Sequence, residues 1–252
     1  MGIPFRENLI LWDEVKNLLV ADVVLSLAFT LTLLGGIQSA IASPGLLVYL
    51  LPMMFIVVSL SFVLHELMHK FVAQRFGAIA AFKTSLTGLA ITLISGFFGF
   101  LIGIPGATFI FTDKFTKRQN GIVSLAGPMT NFVVFAAAFA IGTLLYRGFL
   151  PNVLNSLNPT GPTFYSTPYL QNLLSITLFI SILLAFFNML PIFPLDGSKV
   201  LAWDGRIYLA VIAVIFALLL LIIPLISLIF SLILMLGLAY VFSAFSRGIL
   251  LN

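Results

Sequence analysis

Cysteine is absent from this 252-residue chain, histidine occurs only twice, and charged residues make up just 8% of it. Without cysteine there can be no disulfide, no thiolate metal site and no lipidated cysteine. An ordinary soluble domain carries roughly 25% charged residues, so that class is excluded too. No basic run of the kind that binds nucleic acid is present, so nucleic acid is not an expected partner. The N-terminal stretch MGIPFRENLILWDEVKNLLVADVV lacks the basic region, short apolar core and small-residue cleavage site of a signal peptide.

Apolar length is abundant instead. The chain is 61% hydrophobic, and its apolar runs recur at about the twenty residues needed to cross a ~30 Å hydrocarbon core. The expected class is an all-α polytopic membrane protein, multi-pass in the cell membrane, with the lipid bilayer as its solvent. Six spans are expected near residues 18–40, 46–74, 120–146, 167–190, 206–222 and 225–245, with a tight turn at Ile223-Pro224. Residues 1–17 mix charges with Leu9, Leu11, Trp12 and Val15 and read as an interfacial segment ahead of one transmembrane domain, 18–252. The prolines, asparagines and glycines of 147–166 give that stretch loop composition. With the N-terminus placed in the cytoplasm, that side receives every one of the 12 Lys and Arg except Arg147. This positive-inside bias puts both termini in the cytoplasm.

Against this apolar background, Ser61–Lys70, SFVLHELMHK, stands out at the end of the second span. It holds both histidines. On a helix, residues i and i+4 share a face, so His65 and His69 present their imidazoles together, and Glu66 follows the first of them. HExxH on a helix is the arrangement by which zinc hydrolases chelate the ion and supply a general base. Ionisable residues within membrane spans are costly and are kept for function. A catalytic zinc site takes three protein ligands, so with no further histidine and no cysteine the third must be a carboxylate. Glu7, Asp13, Glu14 and Asp22 belong to the first span, and Asp113 adjoins Lys114 in a basic cluster. Asp196 and Asp204 remain. Pro191 and Pro194 break the helix before Asp196, and Gly197 frees the backbone after it, whereas Asp204 also suits a surface turn beside Arg206.

HExxH at the end of one span and Asn188-Met189-Leu190-Pro191-Ile192-Phe193-Pro194-Leu195-Asp196-Gly197 at the end of another resemble the site-2 protease family of intramembrane zinc metalloproteases. Gly127-Pro128-Met129-Thr130-Asn131 is similar to that family's glycine-proline-asparagine element. The likeness covers about 46–200, the catalytic core, and has no inserted peptide-binding domain. It implies one Zn2+ per chain held by His65, His69 and Asp196, with Glu66 as catalytic base and Asn188 steadying the tetrahedral intermediate. It also implies membrane-protein substrates with a transmembrane segment. The rival class is a non-enzymatic zinc-binding membrane protein or a metal transporter. A transporter needs polar ligands along a path through the bilayer, and here they gather at the cytoplasmic ends of two spans.

The shared ion settles a question of topology. Residues 86–112 are apolar enough for a further span, but one more crossing would put Asp196 on the opposite side from the histidines. This segment is therefore expected as a small interfacial or re-entrant β-region between helices 2 and 3, with its backbone polar groups satisfied internally. Thr92, Ile94, Thr108, Ile110 and Thr112 suggest strand at both of its ends, and a strand edge there could pair with an extended substrate. Lys199, three residues beyond Asp196, reads as a cytoplasmic anchor, and Asn131 as a cavity-shaping or packing residue.

Overall fold

The computed structural model describes residues 12–112, 115–161 and 163–222. The expected span at 225–245 and the Ile223-Pro224 turn lie outside these residues, as do Glu7 and Asp113.

Among the described residues, four helical stretches are long and apolar enough to cross a membrane. Helix α1 covers Trp12–Leu34, including part of the stretch expected at the interface, and Gly35 and Gly36, both at positive φ, end it. A short α2 (Ile37–Ala42) follows. The second stretch, Pro44–Arg75, is one rod: α3 (Pro44–Val58), a π-helical turn over Ser59–Val63, and α4 (Leu64–Arg75). The third is α6 (Lys117–Leu145), started by a reciprocal capping box in which Thr116 and Gln119 satisfy each other's backbone N–H. The fourth is α8 (Tyr169–Asn188). The 16-residue α10 (Gly205–Leu220), where a fifth span is expected, is apolar but shorter. The stretch expected as loop contains a helix, α7 (Phe149–Ser156). It forms because Phe149 finds an apolar seat: its ring fills the space that a Cβ on Gly142 would need.

The segment between α4 and α6 doubles back. Strand β1 (Ile79–Thr84) pairs antiparallel with β2 (Gly106–Phe111), in register from Ile79 opposite Phe111 to Thr84 opposite Gly106. Helix α5 (Leu86–Phe97) lies between them, capped at Ser85, whose hydroxyl accepts from Gly88 N at 3.1 Å. At 12 residues it is about 18 Å long, too short to cross. Because the strands at its two ends lie side by side, the chain leaves where it entered. Thr92 and Ile94 fall in this helix rather than in a strand, and the first strand precedes the expected segment. Hydroxyls inside α5 satisfy the returning loop: Ile104 N donates to Thr92 Oγ1 at 3.0 Å and Ile102 N to Ser95 Oγ at 2.9 Å. Gly96 sets α5 against Ala28 of α1, where a Cβ would come 2.9 Å from backbone atoms.

A buried ion pair ties these parts together. Glu14 of α1 and Lys70 of α4 are 3% and 1% exposed and bonded to each other, and the second Glu14 oxygen accepts from Phe82 N of β1 at 3.0 Å. The Lys70 ammonium, read from sequence as a topology charge, is thus an internal link one residue from His69. Removing one member of such a pair strands the other charge, typically at a cost of about 3–5 kcal/mol. Asp22 of α1 makes a comparable join, accepting from Ser26 Oγ at 3.3 Å and from Ser59 Oγ in the π-turn.

Candidate metal centre

The rod α3–α4 delivers both histidines. Its π-turn ends two residues before His65 and is held to α8 by Ser61 Oγ and Ser181 Oγ, 2.8 Å apart and both buried. One turn apart on α4, the Nε2 atoms of His65 and His69 converge to 3.0 Å. Asp196, the first residue of α9 (Asp196–Trp203), brings Oδ2 to 3.4 Å from His65 Nε2 and 3.1 Å from His69 Nε2. Among the described residues these three form a buried group that could hold a metal ion. Two imidazole nitrogens and a carboxylate oxygen suit zinc, whose tetrahedral ligands, at about 2.0–2.1 Å from the ion, lie roughly 3.3 Å apart.

Neighbouring atoms prepare the group. His69 Nδ1 lies 2.8 Å from the Val123 carbonyl. A carbonyl only accepts, so the proton sits on Nδ1 and the Nε2 lone pair faces the centre. Gly127 of α6 stands directly before the two imidazoles, and a Cβ there would lie 2.5 Å from each Nε2. The missing side chain leaves open space in front of both Nε2 atoms. Gly197 does the same for chain direction: a Cβ on it would overlap the Met189 carbonyl, so glycine alone lets α9 start against the end of α8.

Glu66, 9% exposed, is held by the sheet: Oε2 accepts from Thr108 N at 2.9 Å and from Thr108 Oγ1 at 2.8 Å. The sequence signalled a strand near Thr108 but not this contact. Asn188 ends α8 and donates through Nδ2 to the Leu184 carbonyl at 3.0 Å, turned onto its own helix. Asp204 is not part of the group. It caps α10, accepting from Arg206 N at 2.8 Å and Ile207 N at 3.2 Å. Lys199 places Nζ 3.6 Å from Asp196 Oδ1, so it adjoins the centre instead of serving only as an anchor. Asn131 is fully buried, with neither amide atom hydrogen-bonded within the described residues.

The model of peptidase family M50 matches residues 53–222, which contain all of these side chains. Among curated proteins, "Putative zinc metalloprotease MJ0611" of Methanocaldococcus jannaschii is 36% identical over 154 residues, 61% of this chain and 71% of that protein. "Putative zinc metalloprotease YwhC" of Bacillus subtilis is 30% identical over 163 residues, 60% of this chain and 68% of that protein. "Zinc metalloprotease MJ0392" of M. jannaschii is 28% identical over 148 residues, 59% of this chain but 33% of that protein. No solved structure gives a significant match. With apolar helices long enough to span a bilayer and a His-His-Asp group fit for zinc, the chain belongs to peptidase family M50, the site-2 protease family, and is a zinc metallopeptidase of the membrane.

Proposed function

We propose that the protein hydrolyses peptide bonds in or near the transmembrane segments of other membrane proteins, from a centre on the cytoplasmic side, with both termini in the cytoplasm. The observation that carries the reading is the convergence of His65, His69 and Asp196 beside a glutamate. His65, His69 and Asp196 hold the zinc. Bound there, the ion supplies Lewis acidity, polarising the scissile carbonyl and lowering the pKa of its water to about 7. Glu66 takes the proton of the attacking water and returns it to the departing amine. Oε2 is engaged by Thr108, so Oε1 is the oxygen left for that transfer. Asn188 donates an amide hydrogen to the developing oxyanion, for which its side chain must turn from Leu184.

A peptide bond within a helix is protected by its own hydrogen bonds, so the substrate is received extended, as a strand on the outer edge of β2. Phe82 and Thr108 face one another, and their N–H groups both bond to carboxylates outside the sheet. Donors of the same alternation on β2 therefore point outward, Ile110 N among them. Ile110→Pro removes that donor and leaves the β1 ladder intact. It is expected to lower cleavage at least tenfold with zinc content unchanged, and unaltered cleavage would rule out strand addition at this edge.

The function itself is tested on detergent-solubilised protein by measuring zinc per chain and cleavage of a transmembrane-segment reporter in the same sample. About one zinc per chain, with cleavage that stops on chelation and returns with zinc, is the expected result. Zinc binding without cleavage of any such reporter would favour metal storage or transport instead.

A further inference from the structure

Thr108 makes three contacts with one residue of another element, 42 positions away in sequence: its N–H donates to Glu66 Oε2 at 2.9 Å, and its hydroxyl lies 2.8 Å from Oε2 and 3.1 Å from the Glu66 carbonyl. The hydroxyl carries one hydrogen, and the shorter, charge-assisted bond to the carboxylate takes it. On its far side the sheet is fastened by the Glu14 carboxylate on Phe82 N, directly opposite Thr108 in the register. Each edge of a two-stranded sheet thus ends on a carboxylate. Glu14 is tied to Lys70, one helical turn after Glu66 on the same α4. Thr108 is therefore held in place relative to the helix that carries Glu66.

We propose that Thr108 is the positioning residue for Glu66, and that its hydroxyl, rather than its N–H, keeps the glutamate seated while substrate is bound. The inference rests on the reading of Glu66 as the base and of β2 as the substrate edge. An added strand takes outward N–H donors of β2, and Thr108 N–H is one of them. In the free protein Glu66 occupies that donor where a substrate carbonyl would go. When the substrate claims it, the hydroxyl remains on Oε2 and holds the carboxylate with Oε1 toward the site. A threonine supplies both donors from one position. Valine, of the same shape and with high strand propensity, supplies only the N–H.

Two measurements on the full-length, detergent-solubilised protein test this. Thr108→Val is expected to lower kcat about tenfold, the worth of one hydrogen bond in the transition state. Its KM should stay within about twofold and its zinc content should not change, because the strand donor and the ligands are untouched. Thr108→Ser, which restores the hydroxyl, should recover most of kcat. The second measurement is hydrogen exchange at the Thr108 amide, which requires no turnover. Glu66→Ala should speed exchange there roughly tenfold while Ala107 and Phe109, which face β1, stay protected. Thr108→Val with normal kcat, or a loss that Thr108→Ser does not repair, overturns the proposal. So does a Thr108 amide indifferent to Glu66→Ala. Cleavage that survives Glu66→Gln would instead remove the underlying reading of the base, which separates the two failures.

Discussion

Glu66→Gln is expected to abolish measurable cleavage, a loss of about 10²–10⁴-fold, while zinc content stays at its wild-type level. The substitution preserves size and keeps a side-chain oxygen able to accept from Thr108, so the seat of the side chain survives. It removes the one property the proposed mechanism needs, the ability to take a proton. The proposed zinc ligands are His65, His69 and Asp196, so zinc content should not depend on it. Zinc assay and reporter cleavage on the same preparation check this. A variant that retained both would transfer the base role to another group, and one that lost zinc would make Glu66 part of the metal's support.

Gly127→Ala is expected to cost about 100-fold in zinc affinity and cleavage together, at the upper end of the effects seen when a ligand's surroundings are altered. The new Cβ would sit 2.5 Å from both Nε2 atoms, and a Cβ on a helix has no rotamer by which to escape. Glycine to alanine inside a helix is ordinarily favourable by roughly 0.8–1 kcal/mol. A loss of zinc would therefore mark the crowding of the imidazoles rather than a weakened α6. Equilibrium zinc titration with a competing chelator, alongside a melting curve, separates the two effects. Wild-type affinity in Gly127→Ala would show that the ion sits away from this face.

Much of this arrangement was legible before any coordinates. Helical spacing alone placed His65 and His69 on one face, and Pro191 and Pro194 with Gly197 marked a break around Asp196, which the structure brings to both imidazoles. The need for His65, His69 and Asp196 to share a side excluded a crossing at 86–112, and the β1–β2 stem returns the chain as that requires. The strand boundaries were less legible. Thr92 and Ile94 are β-branched, yet a Ser85 cap and contact with α1 make their segment helical. Asp204, left open by sequence, is a helix cap because its carboxylate meets two N–H groups of its own first turn. Lys70 reads from sequence as a topology charge and Glu14 as one of the acidic residues at the first span, because nothing local marks two charges that will be buried against each other.

The membrane class, most of the apolar helices and the local chemistry of HELMHK follow from composition and from periodicity within one segment. Long-range packing selects the carboxylate that meets the two imidazoles, clears their front at Gly127, joins Glu14 to Lys70 and Phe82, and seats Glu66 against Thr108. Those contacts link residues that are 42 or more positions apart in the chain. They exist because helices, sheet and re-entrant segment pack in one particular way, and no pattern within a single segment encodes them.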